Sequence, residues 1–183
     1  MLRIETHGPA RQRGQQQGEA VRNLALPWID RRLHELQQRY QATSRGILLE
    51  KIRPQMGIWR IEEEKLYPQS VEECTGLAAG LGLDEETYSA LTFYHRLGSH
   101  LPQCTVVGTR DAQGRPLIGK TDDIGHEDLG MNILETTRPD HGYAHRHFHF
   151  AGTLWTIAGI NECGLSIGMT GIPGPLRDKG LFS

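Results

Sequence analysis

The fold class is decided by the stretch CTVVGTRDAQGRPLIGKTDD, residues 104–123, where the sequence changes from helical to strand patterns. Residues 104–110 alternate polar and apolar side chains, residues 111–114 have the composition of a turn, and residues 115–123 alternate again. Alternation on both sides of a glycine-containing turn predicts a β-hairpin. Cys104 is the first residue of this hairpin, so a thiol stands at the point where the chain changes character.

The segment before the hairpin, residues 1–103, is predicted to be a mostly helical leader. Apolar side chains recur at helical spacing in residues 19–40 and again in residues 69–81. Pro27 is expected to kink or divide the first of these helices. Gly82 is expected to end the second, because glycine favours the conformation that terminates a helix.

Smaller signals in the leader predict how its elements begin and pack. Residues 2–6 have the pattern of a short strand. Gly14 and Gly18 lie one helical turn apart, and small residues at that spacing let a helix approach another backbone closely. Asp84 is a good N-cap for a further helix, with Thr87 at its third position.

The segment after the hairpin alternates like a series of short strands joined by turns. These strands are predicted at residues 131–137, 143–150, 153–160 and 165–170. Residues 104–183 should therefore form the first part of a catalytic antiparallel sheet, and the class is α+β. Because no covering helix follows the last strand, we expect an incomplete fold that a missing C-terminal half or a second chain completes.

Composition excludes several classes of function. The chain has 183 residues and a net charge of -2, which gives no electrostatic case for binding nucleic acid or an anionic membrane. No segment approaches the roughly 18 apolar residues of a transmembrane helix, and charge near residue 1 argues against a secretory signal. Three scattered cysteines without a Cys-x-x-Cys pair indicate a reducing, cytoplasmic environment.

Cys104 is a candidate nucleophile because a cation and two carboxylates return toward it on the second hairpin strand. Lys120 could favour the thiolate, and Asp122 or Asp123 could orient the reacting groups. If the peptide bond before Cys104 were cut, the freed α-amine, with a pKa of about 7.7–8.0, could act as general base. The alternatives are an inert buried thiol and a solvated surface ion pair.

Four segments together resemble the acyl-CoA:6-aminopenicillanic acid acyltransferase family (peptidase C45 type), N-terminal nucleophile hydrolases related to the choloylglycine hydrolases. They are GPARQRGQQQG at residues 8–18, VEECTGLAAGLGL at 71–83 with YSAL at 88–91, CT at 104–105 with DAQG at 111–114 and GKTDD at 119–123, and AGINECGL at 158–165. Each segment is weak alone, whereas their order and spacing are specific.

The resemblance implies a four-layer αββα sandwich and autocatalytic cleavage between Gln103 and Cys104. It implies transfer or hydrolysis of an acyl group on a linear amide or thioester through an acyl-cysteine, without a cofactor. The implied partner is a small acyl substrate such as an acyl-CoA or an N-acyl amide, and a homo-oligomer is a further option. Asp123 occupies the position of the family's catalytic aspartate, and Asp122 is the alternate.

Other matching positions carry supporting roles or depart from the family pattern. Lys120 occupies the position where the family has an arginine. Gln103 occupies the position before the nucleophile, where the family usually has glycine. Thr121 replaces an asparagine. Thr105 and Asn161 match motif positions and are candidate supporting residues.

Two hypotheses of other classes remain open. One is an inactive fragment or binding module that retains the scaffold. The other is a metal-dependent hydrolase that uses His145, His147 and His149, which share one face of a predicted strand. Steps of about 6.5–7 Å between such residues make it hard for one ion to bind all three, so a polar wall facing a cleft is the simpler interpretation.

Overall fold

The computed structural model of the chain describes residues 1–96 and 104–170, with residues 93–96 described by their backbone alone. The elements are β1 (Leu2–Gly8), α1 (Ala10–Arg39), α2 (Arg45–Leu66), α3 (Pro68–Leu81), α4 (Glu85–Arg96), β2 (Cys104–Arg110), β3 (Pro116–Asp122), β4 (Asn132–Pro139), β5 (His145–Phe150), β6 (Thr156–Asn161) and β7 (Ser166–Gly168), with a short 3-10 turn at His126–Asp128. The predicted α+β class and the predicted hairpin are confirmed.

Two helix ends form where capping chemistry predicts them. The carboxylate of Asp84 accepts a hydrogen bond from the backbone N–H of Thr87 at 2.8 Å, which caps α4 as predicted. Gly82 ends α3 with φ of 77°, a left-handed conformation that glycine adopts without strain. Pro27, in contrast, does not divide α1, which is one helix from Ala10 to Arg39. The apolar side chains of α1 are buried in the core, and this burial offsets the backbone hydrogen bond that the proline cannot donate.

Helices α1 and α3 pack through glycines, as the spacing of Gly14 and Gly18 predicts. A Cβ atom added to Gly14 would lie 2.0 Å from the backbone oxygen of Glu73. On the opposite helix, a Cβ on Gly76 would lie 1.9 Å from the backbone oxygen of Arg11. The two backbones therefore touch at a distance that any larger residue would prevent.

The sheet differs from the antiparallel one predicted within residues 104–183. Five strands lie in the order β1-β4-β5-β6-β7, and β2 and β3 form a separate two-stranded sheet. Strand β1 comes from the leader and pairs parallel with β4, so that Leu2 lies opposite Ile133. A parallel pair needs a long crossover, which the intervening helices and hairpin supply.

Two layers flank the five-stranded sheet. Helix α1 covers one face, where Gln17 contacts His149 of β5. Phe148 points to the other face. The residue pairs that join β5 to β6 and β6 to β7 place Gly168 of β7 on that same face. A Cβ on Gly168 would lie 3.0 Å from Val106 of β2, so the hairpin lies against the face opposite to the helices.

The main apolar core lies between the helices and the sheet. Ile29, Leu33 and Leu77 from the helices and Ile133 from β4 are fully buried there. Within residues 1–96 and 104–170, no helix combines the length and apolar character needed to cross a bilayer.

Candidate active site

The hairpin brings Cys104, Lys120 and Asp122 together, a group called here the nucleophile cluster. Cys104 begins β2 and lies directly opposite Asp122 at the end of β3. Lys120 lies two residues before Asp122, so strand alternation puts both side chains on one face. The Nζ atom of Lys120 lies 3.2 Å from Sγ of Cys104 and 2.7 Å from Oδ1 of Asp122. The thiol of Cys104 donates to the same Oδ1 atom at 3.4 Å.

The nucleophile cluster places one cation and one anion beside the sulfur of Cys104. The side chain of Lys120 is only 5% exposed, so its ammonium is weakly screened by solvent. Asp122 holds that ammonium in place with a charge-assisted hydrogen bond.

The second carboxylate oxygen of Asp122 accepts no hydrogen bond from the described residues. Its Oδ2 atom is buried and has no hydrogen-bond partner among the residues that the structure describes. An unsatisfied buried acceptor costs about 1–3 kcal/mol and often marks a place where another donor belongs. The cluster therefore has capacity for one further N–H or O–H group.

The carboxylate beside Cys104 belongs to the alternate, Asp122, and not to Asp123, the predicted catalytic aspartate. Asp123 follows the end of β3 and is exposed. Because successive side chains of a strand point to opposite faces, only one of the two neighbours can face Cys104. The pairing register of the hairpin selects Asp122.

The remaining predicted residues have structural contacts. The backbone N–H of Thr105 donates to Oγ1 of Thr121 at 3.2 Å, which ties the two hairpin strands together next to the thiol. Asn161 ends β6, and its Oδ1 atom accepts hydrogen bonds from the backbone N–H groups of the following turn at 3.0 and 2.9 Å. That oxygen is thus engaged in the turn before β7. Gln103 lies outside the described residues.

The other two cysteines provide a contrast with Cys104. Burial raises the pKa of Cys74, on α3, to about 11, so its thiol stays protonated at neutral pH. Cys163 lies exposed in the turn between β6 and β7. Only Cys104 has an ammonium within hydrogen-bonding distance among the contacts of the described residues.

A second polar group lies under the helices and consists of Glu135, His147 and His149, called here the buried histidine cluster. One ligand atom from each of these residues lies within 4.8 Å of the others. The sequence predicted His145 as the third member, but its Nδ1 atom contacts the backbone oxygen of Tyr143 at 3.0 Å. Glu135, opposite His147 in the pairing of β4 with β5, takes its place.

Glu135 is the residue that sequence reasoning missed. It stands between the buried Ile133 and Thr137 on β4, so its inward phase was visible in the alternation. Its histidine partners depend on the register between two strands, which that pattern does not contain. The hydroxyl of Thr6, 129 positions away on β1, donates to its Oε1 atom at 2.6 Å.

Protonation within the buried histidine cluster follows from burial and charge. Burial alone would raise the pKa of Glu135, but the hydrogen bond and positive charge of His149 outweigh it and hold that pKa below its usual value. Burial, helped by the charge of His149, lowers the pKa of His147 to about 4. His147 is therefore neutral at physiological pH.

An open groove of about 410 Å³ leads to the edge of this cluster. Its lining includes Arg13, Tyr143, His145, His147 and Thr156. Arg13 donates to both carboxylate oxygens of Glu73, at 3.2 and 2.8 Å, which fixes its guanidinium in the lining of the groove.

Comparison of the sequence with models of known protein families finds no match. Comparison with curated proteins finds no significant match either. Neither comparison assigns a function to the two clusters.

Proposed function

We propose that this chain is an N-terminal nucleophile enzyme in which Cys104 attacks the carbonyl carbon of a linear amide or thioester. The observation that carries the proposal is the contact of its Sγ atom with Lys120 at 3.2 Å and with Asp122 at 3.4 Å. An ammonium beside a sulfur favours the thiolate, which is the nucleophile, and the carboxylate holds that ammonium in place.

The proposed activation begins with hydrolysis of the peptide bond between Gln103 and Cys104, which frees the α-amine of Cys104. That amine takes the proton of the thiol, and the thiolate forms a bond to the substrate carbonyl carbon. The bond to the leaving nitrogen or sulfur breaks as the leaving group receives the proton. Water or an acceptor amine then cleaves the acyl-cysteine and restores the thiol.

The unpartnered oxygen of Asp122 supports this scheme. The α-ammonium of a newly freed Cys104 is a strong donor, and it would arise on the residue directly opposite Asp122 in the hairpin. A hydrogen bond to Oδ2 would satisfy the buried acceptor and hold the amine near the sulfur. In this proposal, Lys120 stabilises negative charge on the sulfur.

The layer order is compatible with the proposed class. Helices lie on one face of the five-stranded sheet and the hairpin on the other, an order that supports an αββα sandwich as the proposed fold. We propose that this fold is the framework of the enzyme, with a small acyl substrate such as an acyl-CoA or an N-acyl amide as its partner.

Intact-mass spectrometry of the purified chain tests the proposal. We expect two fragments divided between Gln103 and Cys104, a single uncut species for Cys104→Ala, and normal cleavage for the matched control Cys163→Ala. The processed chain should release coenzyme A from an acyl-CoA or an amine from an N-acyl amide. An uncut wild-type chain, together with turnover that Cys104→Ala does not reduce, would contradict the proposal. Binding of these compounds without turnover would favour a binding module instead.

A further inference from the structure

The buried histidine cluster contains a contact that needs a positive species. The Nδ1 atom of His149 lies 2.9 Å from the backbone oxygen of Thr153 and 3.1 Å from that of Phe150. Carbonyl oxygens only accept hydrogen bonds, so Nδ1 carries the hydrogen. In the neutral ring, Nε2 then presents a lone pair, and it lies 2.8 Å from Oε2 of Glu135. Two acceptors at that distance require either a shared proton or a metal ion.

His147 offers a second nitrogen to the same carboxylate. Its Nδ1 atom lies 3.0 Å from Oγ1 of Thr156, which can accept a hydrogen bond from it. Its Nε2 atom, which also contacts the hydroxyl of Thr137 at 3.3 Å, then presents a lone pair 3.9 Å from Oε2 of Glu135. The ring stacks on His149 with 4.7 Å between centroids, so the two imidazoles approach the carboxylate side by side.

We propose that Glu135, His147 and His149 bind one Zn²⁺ ion through Oε2 of the carboxylate and Nε2 of each imidazole. Two histidines and a glutamate are a known donor set for zinc sites that keep a fourth position open. Tetrahedral zinc at about 2.0–2.1 Å from each ligand requires ligand atoms about 3.3 Å apart. The two separations from Oε2, 2.8 and 3.9 Å, lie on either side of that value, and all three ligand atoms lie within 4.8 Å of one another. Side-chain shifts must adjust these distances for zinc to bind.

The surroundings of the cluster are those of a supported metal site. Bound imidazoles usually donate their other nitrogen to a carbonyl or hydroxyl, which orients the ring. His149 does so to backbone oxygens and His147 has Thr156 within reach, while Thr6 donates to the second oxygen of Glu135. His147 also lines the groove, so a water molecule can occupy the fourth position.

This site is separate from the nucleophile cluster. The histidines face the helices, whereas the hairpin lies against the other face of the sheet. Zinc binding therefore neither requires nor excludes acyl transfer by Cys104, and it can be tested with a variant that lacks the thiol.

Metal titration tests the proposal directly. Protein stripped with EDTA and desalted is titrated with Zn²⁺ by calorimetry, and with Co²⁺ by visible absorption. We expect one equivalent of Zn²⁺, a tetrahedral Co²⁺ spectrum and a rise in the thermal midpoint on zinc addition. Cys104→Ala should bind zinc as the wild type does, because its sulfur is not a ligand.

Variants then assign the ligands. Thr6→Val removes a hydrogen bond to a ligand and should weaken zinc binding roughly 10–100-fold. His147→Gln and Glu135→Gln remove the ligands themselves and should weaken zinc binding by more than that. His145→Gln, on the same strand and face, is the matched control and should bind normally. Circular dichroism checks folding, and Thr6→Val still tests the site if a ligand variant does not fold. The proposal is overturned if the wild type binds no zinc, if His145→Gln or Cys104→Ala abolishes binding, or if every folded variant binds normally. A metal-free Glu135–His149 ion pair sharing one proton would then be the correct description.

Discussion

The two polar clusters differ in how completely the protein satisfies them. In the buried histidine cluster, Oε1 of Glu135 accepts from Thr6 and Oε2 faces His149 at 2.8 Å. In the nucleophile cluster, Oδ2 of Asp122 is buried without a partner among the described residues. Both carboxylate oxygens of Glu135 have partners on other strands, whereas one carboxylate oxygen of Asp122 has none among the described residues. Under the proposed function, that free oxygen is where the α-amine of a processed Cys104 would bind.

The two clusters also differ in the stability of the elements that carry them. The buried histidine cluster lies beneath α1, which is locked to α3 by glycines at backbone contact. The nucleophile cluster stands on two strands, where Val107 and Leu117 are more than half exposed. A two-stranded hairpin has little stability of its own, so its geometry depends on contacts with β7. Disturbing the first region should therefore change stability, and disturbing the second should change reactivity.

The largest effect is expected from removing the carboxylate of the buried histidine cluster. With EDTA present, Glu135→Ala leaves His149 buried without its anionic partner and should lower the free energy of unfolding by about 3–5 kcal/mol. Urea denaturation measures this change. The control is Glu5→Ala, which breaks an exposed ion pair with Arg138 and should leave stability unchanged. Equal losses in the two variants would show that burial does not distinguish these pairs.

A somewhat smaller loss of stability is expected from a substitution at the glycine contact between α1 and α3, which supports the buried histidine cluster. Gly76→Ala would place a methyl group 1.9 Å from the backbone oxygen of Arg11, so the helices must separate. We expect a loss of about 3 kcal/mol, near the upper end for an overpacked core. Gly57→Ala is the matched control, because its Cβ has no atom within 4 Å and alanine favours helix by up to about 1 kcal/mol. Wild-type stability of Gly76→Ala would contradict the described packing.

A change in reactivity is expected in the nucleophile cluster. Lys120→Met removes the ammonium beside the sulfur and should slow iodoacetamide labelling of Cys104 at neutral pH about fivefold, as about 1 kcal/mol of lost charge stabilisation implies. Peptide mapping with mass spectrometry follows each cysteine separately. Cys163 should keep its rate in both proteins, and Cys74, with a pKa of about 11, should react slowest. If Cys104 labels equally fast without Lys120, the cation has no role in activating it.

The smallest effect is expected at a carboxylate outside both clusters. Hydrogen bonds from the backbone and side chain of Thr87 lower the pKa of Asp84. A lowered folded-state pKa contributes stability above the unfolded value of about 3.9, and this contribution is lost as pH falls through the folded value. Asparagine is also a good N-cap, but its side chain does not titrate. The stability of the Asp84→Asn variant should therefore fall less than that of the wild type between pH 7 and pH 3. The difference should stay below about 1 kcal/mol in urea denaturation, and a steeper acid loss in the variant would contradict it.

Much of the local structure could be predicted because its causes lie within a few residues. The hairpin at residues 104–123, the cap at Asp84 and the end of α3 at Gly82 each follow from turn or capping chemistry. The close contact at Gly14 followed from the spacing of small residues on a helix. In each case the signal and the structure that it specifies involve the same short segment.

The candidate sites were only partly predictable. Cys104 and Lys120 were expected together, but the choice of Asp122 over Asp123 depends on strand register, where one residue reverses the face. The continuity of α1 through Pro27 depends on packing that outweighs a local preference. Glu135 gained its partners from strands and helices elsewhere in the chain.

The sequence by itself determined the α+β class, the hairpin that carries Cys104 and the helix ends, because hydrogen bonds and side-chain periodicity act between near neighbours. Tertiary structure alone decided that β1 pairs parallel with β4 and that Thr6 meets Glu135 across 129 positions. It also decided which carboxylate faces the thiol. The physical reason is that such contacts arise only when distant segments exclude water from a common core, and pairing register, which the local pattern leaves open, then determines which side chains meet.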